Sequence, residues 1–174
     1  MDTVYVLQII TISLTAITLI INVLVTLMTN KQKNYNEIIT SSRLDFMTRN
    51  RDNAAKFVAE AKSIELALKC KVNQIDAKSL YLAFEQICIA LKPYNSIDKE
   101  IIDAGKNVVA IIEQSIVSQQ FNESLSEAIN KFEQLFNIYD DADWKFIKQQ
   151  FNSTNKTSVD FDKICDDIKS LHKD

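Results

Sequence analysis

A chain of 174 residues with one glycine, Gly105, and one proline, Pro93, has few ways to turn sharply. Strand hairpins close through tight turns that draw heavily on glycine and proline, because those residues supply positive or fixed φ at little steric penalty. The expected architecture is therefore helices joined by Asn, Asp and Ser turns, and the fold class is all-α.

The second constraint is a run from Val4 to Met28 without Asp, Glu, Lys or Arg. Twenty-five helical residues reach about 37 Å, enough to cross a hydrocarbon core of about 30 Å with some tilt. A cleaved signal peptide would have a basic start, a shorter apolar core and a small-residue exit. Here the chain opens Met1-Asp2 and leaves the run through LMTNKQKN. The expectation is a retained single N-terminal transmembrane helix followed by a cytoplasmic helical bundle. No cation precedes the run, and Lys31, Lys33, Arg43, Arg49 and Arg51 come after it. By the positive-inside rule the N-terminus lies outside and the rest of the chain is cytoplasmic. The expected division is a tail and span over 1–30, a long membrane-proximal helix over 31–71, a bundle over 72–151, and a polar linker with an amphipathic helix over 152–174.

Within QIITISLTAITLIIN, residues 8–22, the polar side chains Gln8, Thr11, Thr15, Thr18 and Asn22 recur at spacings of three and four. That is one face of a helix, with the a/d spacing of a left-handed seam. Lipid offers little hydrophobic drive for helix association, so packing and interhelical hydrogen bonds supply it. Threonine is the weaker signal, because its hydroxyl can bond back to its own helix. Gln8 and Asn22 carry carboxamides that need an external partner in hydrocarbon. These five residues are the expected assembly seam, and in several copies the same row would surround a narrow pore.

Beyond the span, Tyr35, Ile39, Phe46, Ala54, Phe57, Ala61, Ile64 and Leu68 trace one face, with polar Ser42 and Asn50 in its gaps. The spacing predicts a long helix, open to continuity with the membrane span and supported by an Asp45–Arg49 pair. A second helix is expected from Asn73 or an Asp76 cap to a stop before Pro93, and a third from Ser96. Gly105, inside that third helix, marks a site where another helix passes closely. The SLSE capping box at Ser124–Glu127 opens a fourth, and the acidic DDAD at 140–143 is expected to start a short fifth. Val159 to Leu171 places Phe161, Ile164, Cys165, Ile168 and Leu171 on one face of a last helix, which either folds back on the bundle or docks on a partner.

Catalytic motifs are scarce. The only histidine, His172, is near the end of the chain, and one glycine cannot build a phosphate-cradling loop. Asp140, Asp141 and Asp143 lack the glycine of a calcium loop, so helix capping is preferred there over metal binding. Asp160, Asp162, Asp166 and Asp167 read as the wet face of the last helix. Cys70, Cys88 and Cys165 are odd in number and widely spaced, and Cys88 and Cys165 are expected to be buried reduced thiols of a reducing compartment. No catalytic residue, cofactor or metal is expected.

Residues 75–174 carry eleven Lys/Arg against seventeen Asp/Glu, which argues against nucleic acid as a partner. No small-molecule substrate is evident. Arg43, Arg49 and Arg51, all the arginines of the chain, fall within nine residues. With Lys31 and Lys33 they form a candidate surface for anionic headgroups or a partner, or else pair with the acidic distal helices. The richness in Asn, Lys and Ile suits an AT-rich bacterial genome.

The expected function is a non-enzymatic, single-pass membrane protein that self-associates, contacts membrane lipid and presents a cytoplasmic interaction domain. Three further classes fit the same features: a small toxin-like or phage-defence-like effector whose assembled spans permeabilise a membrane, a subunit of a larger membrane complex, and, last, an enzyme with a carboxylate site.

Overall fold

A computed structural model describes residues 3–72, 74–91, 95–152 and 160–171. The described residues form five helices and no strand: α1 (Thr3–Lys69), α2 (Lys78–Ala90), α3 (Ser96–Ser118), α4 (Ser124–Asn152) and α5 (Phe161–Leu171). The all-α expectation holds. The chain divides into two compact units, Met1–Ser42 and Arg43–Asp174.

The first unit is helix throughout its described part. Its stretch Ile10–Lys31, 22 residues of mean hydropathy 2.3, is long and apolar enough to cross a membrane, and none of it is buried. Ile12, Leu14, Ile17, Leu19 and Ile20 are each more than half exposed, so the apolar surface runs around the helix instead of lying in one stripe. A helix apolar on every side is suited to lipid or to a protein core, and the described residues of this chain bury none of it.

The second unit is built on heptads. Met47, Asn50, Ala54, Phe57, Ala61, Ile64 and Leu68 are all buried along α1, at strictly alternating spacings of three and four. The expected stripe is thus correct from Asn50 onward, whereas Met47 takes the core position and Phe46 is half-buried beside it. Leu80, Ala83 and Ile87 of α2 and Ile97, Ile101, Val108 and Ile112 of α3 close on that face. Leu125, Ile129, Phe132 and Phe136 of α4 complete it. Helix α3 packs on α4, and α5 packs on both. Ion pairs tie neighbours together at the rim: Lys62–Glu133 at 2.9 Å between α1 and α4, and Lys169–Glu100 at 2.6 Å between α5 and α3.

An aromatic row threads this core. Phe84, Phe57, Phe132, Phe136, Tyr139, Phe161 and Phe146 succeed one another with ring centroids 4.7–6.2 Å apart. At one end Phe84 lies over Gly105, where an added Cβ would overlap the ring, with its Cδ2 at 2.9 Å. The close approach inferred from the lone glycine is present, and its occupant is a side chain of α2.

Three expectations are corrected. The DDAD segment does not start a helix, because α4 runs unbroken through it: Ala142 is fully buried there and Asp140 is held by Arg51 across the helix interface. The SLSE segment is not the cap it resembles. Ser124 is already helical, and Asn122 Oδ1 accepts from both the Ser124 N–H and its hydroxyl, moving the cap two residues earlier. Arg49 donates to the Asp45 backbone carbonyl at 3.3 Å, one turn back, and this contact stands in place of the expected carboxylate pair. The Asp76 cap does form, its Oδ1 accepting from the Lys78 N–H at 2.9 Å. The expected stop before Pro93 is present, since α2 ends at Ala90 and Leu91 is extended. Of the linker expected at 152–158, Asn152 is still the last residue of α4 and the rest lies outside the described residues. Helix α5 folds back on its own bundle, burying Ile164, Cys165 and Ile168, while Leu171 stays 74% exposed instead of joining that face.

Candidate functional site

Five helices contribute residues to a common cleft in the second unit. Arg43 and Phe46 of α1 come to it with Ala90, the last residue of α2. Asn95 and Asp98 enter from the start of α3, and Phe161 from the start of α5. Tyr139, Asp143 and Phe146 enter from α4, spaced four and three so that one helix face presents all of them. The cavity they enclose is about 370 Å³, within the range of small-molecule sites.

Asp98 is its most unusual group. It is 4% exposed, its Oδ2 accepts a 3.5 Å hydrogen bond from Asn95 Nδ2, and its Oδ1 has no hydrogen-bond partner among the described residues. Burial, reinforced by the negative charges of Asp162 and Asp143, pushes its carboxyl up to about 6. Burial also raises Asp143, against the pull of Arg43 and with help from Asp140. The Arg43 guanidinium lies 4.7 Å from the Phe146 ring centre, a cation–π distance. Tyr139 is 8% exposed, and burial together with Asp143 and Asp98 drives its phenol well above the ordinary range. The Asn50 side chain is buried as well, and its hydrogen bond to the Tyr139 phenol acts against that rise. Cys165 is fully buried and its thiol is pushed up to about 12 by that burial, so it is no nucleophile at neutral pH. The cleft thus combines aromatic walls, one guanidinium and an excess of carboxylate.

The residues expected to carry function fall in different places. Gln8, Thr11, Thr15, Thr18 and Asn22 share one exposed face of α1 in the first unit. The Thr15 and Thr18 hydroxyls donate to the carbonyls of Thr11 and Leu14, each at 2.8 Å, so their protons are engaged within the helix. Lys31 and Lys33 are exposed. In the second unit the arginines separate. Arg43 enters the cleft and Arg49 meets the Asp45 carbonyl, while Arg51 clasps Asp140 with Nη2–Oδ2 at 2.5 Å and Nε–Oδ1 at 3.2 Å. Of the acidic cluster, Asp140 is paired and Asp143 lines the cleft; among the described residues no group of three or more His, Cys, Asp or Glu is placed to hold a metal. Cys88 is half-buried, Cys70 is exposed and all three thiols are free.

Sequence reasoning missed Asp98. An aspartate in a first turn normally faces water, where it complements the helix dipole. The signal was the heptad row of α3: residues 98, 101, 105, 108, 112 and 115 are all buried, so stepping back from Ile112 through Gly105 lands on Asp98. No protein-family model, curated protein or solved structure matches the chain.

Proposed function

We propose that this chain is a membrane-anchored helical protein without catalytic activity: its N-terminal helix spans the bilayer and associates with other spans, and its second unit is displayed in the cytoplasm as an interaction domain. The observation that carries this reading is the stretch Ile10–Lys31, apolar on all sides and wholly uncovered. Left in water it would expose far more contiguous apolar surface than a soluble monomer tolerates. Lys31 and Lys33 at its exit favour the cytoplasmic side for the second unit. Because Thr15 and Thr18 donate to their own backbone, the interhelical donors of the seam are the Gln8 and Asn22 carboxamides, each contributing about 0.6–2 kcal/mol.

Two experiments test it. Cys70 is exposed, and the other two thiols are half-buried or buried, so it reports topology without engineering. A membrane-impermeant maleimide is expected to label it only after cells are permeabilised. Labelling in intact cells would reverse the orientation. For assembly, the detergent-solubilised full chain is expected to be a defined oligomer that falls to monomer when Gln8 and Asn22 are both changed to Leu. If wild type is itself monomeric, self-association is wrong and the span serves a different membrane protein. Loss of membrane potential on expression, abolished by Asn22→Leu, would move the reading to a permeabilising effector.

A further inference from the structure

We propose that the cleft of the second unit is a binding site for a small organic cation, an ammonium or guanidinium on an apolar stem, whose charged head meets Asp98 Oδ1 and whose stem lies against Phe46 and Phe161.

The cleft carries an unbalanced charge. Asp98 is only 4% exposed, yet one carboxylate oxygen is unmatched among the described residues. A buried polar atom of this kind is uncommon, because leaving it without a partner is strongly unfavourable. The ionised groups nearest in effect are Asp162 and Asp143, both negative. From α4, Asp140 is already paired with Arg51, and from α5, Lys169 is paired with Glu100. Arg43 is placed on Phe146 and acts on Asp143. Tyr139, which also lines the cleft, and the buried Cys165 thiol are both neutral at pH 7, and burial raises both further. Among the described residues, what the cavity lacks is positive charge at the Asp98 wall.

The shape selects the kind of cation. A hydrated inorganic ion would need several oxygen ligands, and the described residues place no cluster of three. Aromatic walls instead suit an organic cation, whose ammonium or guanidinium gains from ring faces while its carbon stem is removed from water. Arg43 over Phe146 is the intramolecular version of the same contact. The volume of about 370 Å³ admits a molecule of this size.

The test uses the detergent-solubilised full chain and calorimetric titration with agmatine and with butylammonium, at fixed ionic strength. n-Butanol and butyrate serve as neutral and anionic isosteres. Both cations are expected to bind, with the isosteres at least about tenfold weaker. Binding should also be about tenfold tighter at pH 7 than at pH 5, because Asp98 is mostly ionised at the first and mostly protonated at the second. Asp98→Asn keeps the side-chain volume and is expected to abolish the cation preference and the pH dependence together. The wild-type pH profile stands even if that variant folds poorly. Equal binding of butanol and butylammonium, or cation binding that does not change between pH 5 and pH 7, would overturn the proposal and leave an apolar cavity without charge selection. So would an absence of heat with either cation.

Discussion

Phe57→Ala is expected to destabilise the second unit by about 3–5 kcal/mol, the range for truncating a fully buried aromatic side chain. Phe57 is 1% exposed and sits in the middle of the aromatic row, 5.4 Å from Phe84 and 4.7 Å from Phe132 between ring centres. It is the point where α1 meets both α2 and α4. Losing the ring removes apolar burial, leaves a cavity and frees Phe84, which is itself wedged over Gly105. Collapse is resisted from both sides, since Ala54 and Ala61, one turn away in either direction, have no side chain with which to fill the space. Domains of this size are stable by only about 5–15 kcal/mol, so the variant sits near its unfolding threshold. The single tryptophan, Trp144 on α4, reports the transition of the second unit alone. With a urea dependence of about 2 kcal/mol per molar, the midpoint should fall by roughly 2 M. Phe57→Leu should lose less than half as much. A midpoint shift below about 0.5 M for the alanine variant would mean the row is not a continuous core.

How much of this was legible depends on which physical signals act locally. The scarcity of glycine and proline indicated helices because it removes turns, and the uncharged run indicated a span because its surface has no alternative use. Gly105 pointed to a close approach because nothing else explains a glycine inside an otherwise apolar helical row. The errors have two sources: a local pattern overridden by a contact far away in sequence, or a nearer partner taking a group first. DDAD has the composition of a helix start, but Ala142 is buried and Asp140 meets Arg51, 89 residues away. SLSE has a capping-box pattern, but Asn122 reaches the same N–H first. The three arginines looked like one patch in sequence. Their placement depends on partners that come from α4, namely Phe146 for Arg43 and Asp140 for Arg51. The cleft was hidden for the same reason, since its walls come from five helices and its key carboxylate resembles an ordinary first-turn acid.

That carboxylate makes the second large effect one of pH, with an unusual sign. Folding raises Asp98 from its ordinary 3.8 to about 6, chiefly by burial. Between those values the folded state holds a proton that the unfolded chain has lost, so stability falls as pH rises through the window. A rise of that size corresponds to a loss of about 3 kcal/mol at neutral pH, and somewhat less than half of it returns on acidification from pH 7 to pH 5. Asp143 is raised as well and adds in the same direction. Glu65 acts oppositely: its burial is outweighed by hydrogen bonds from Lys69 and Ser126 that hold it below its ordinary 4.5, so its contribution is lost as pH falls below about 4.5, under the pH 5 to 7 range. Urea unfolding of the full chain without added cation, monitored through Trp144, is therefore expected to show greater stability at pH 5 than at pH 7. Asp98→Asn should be the more stable protein at pH 7 and should lose most of the slope. If wild type instead weakens steadily from pH 7 to pH 5, Asp98 is ionised across that range, and a cation from within the chain must already face its Oδ1.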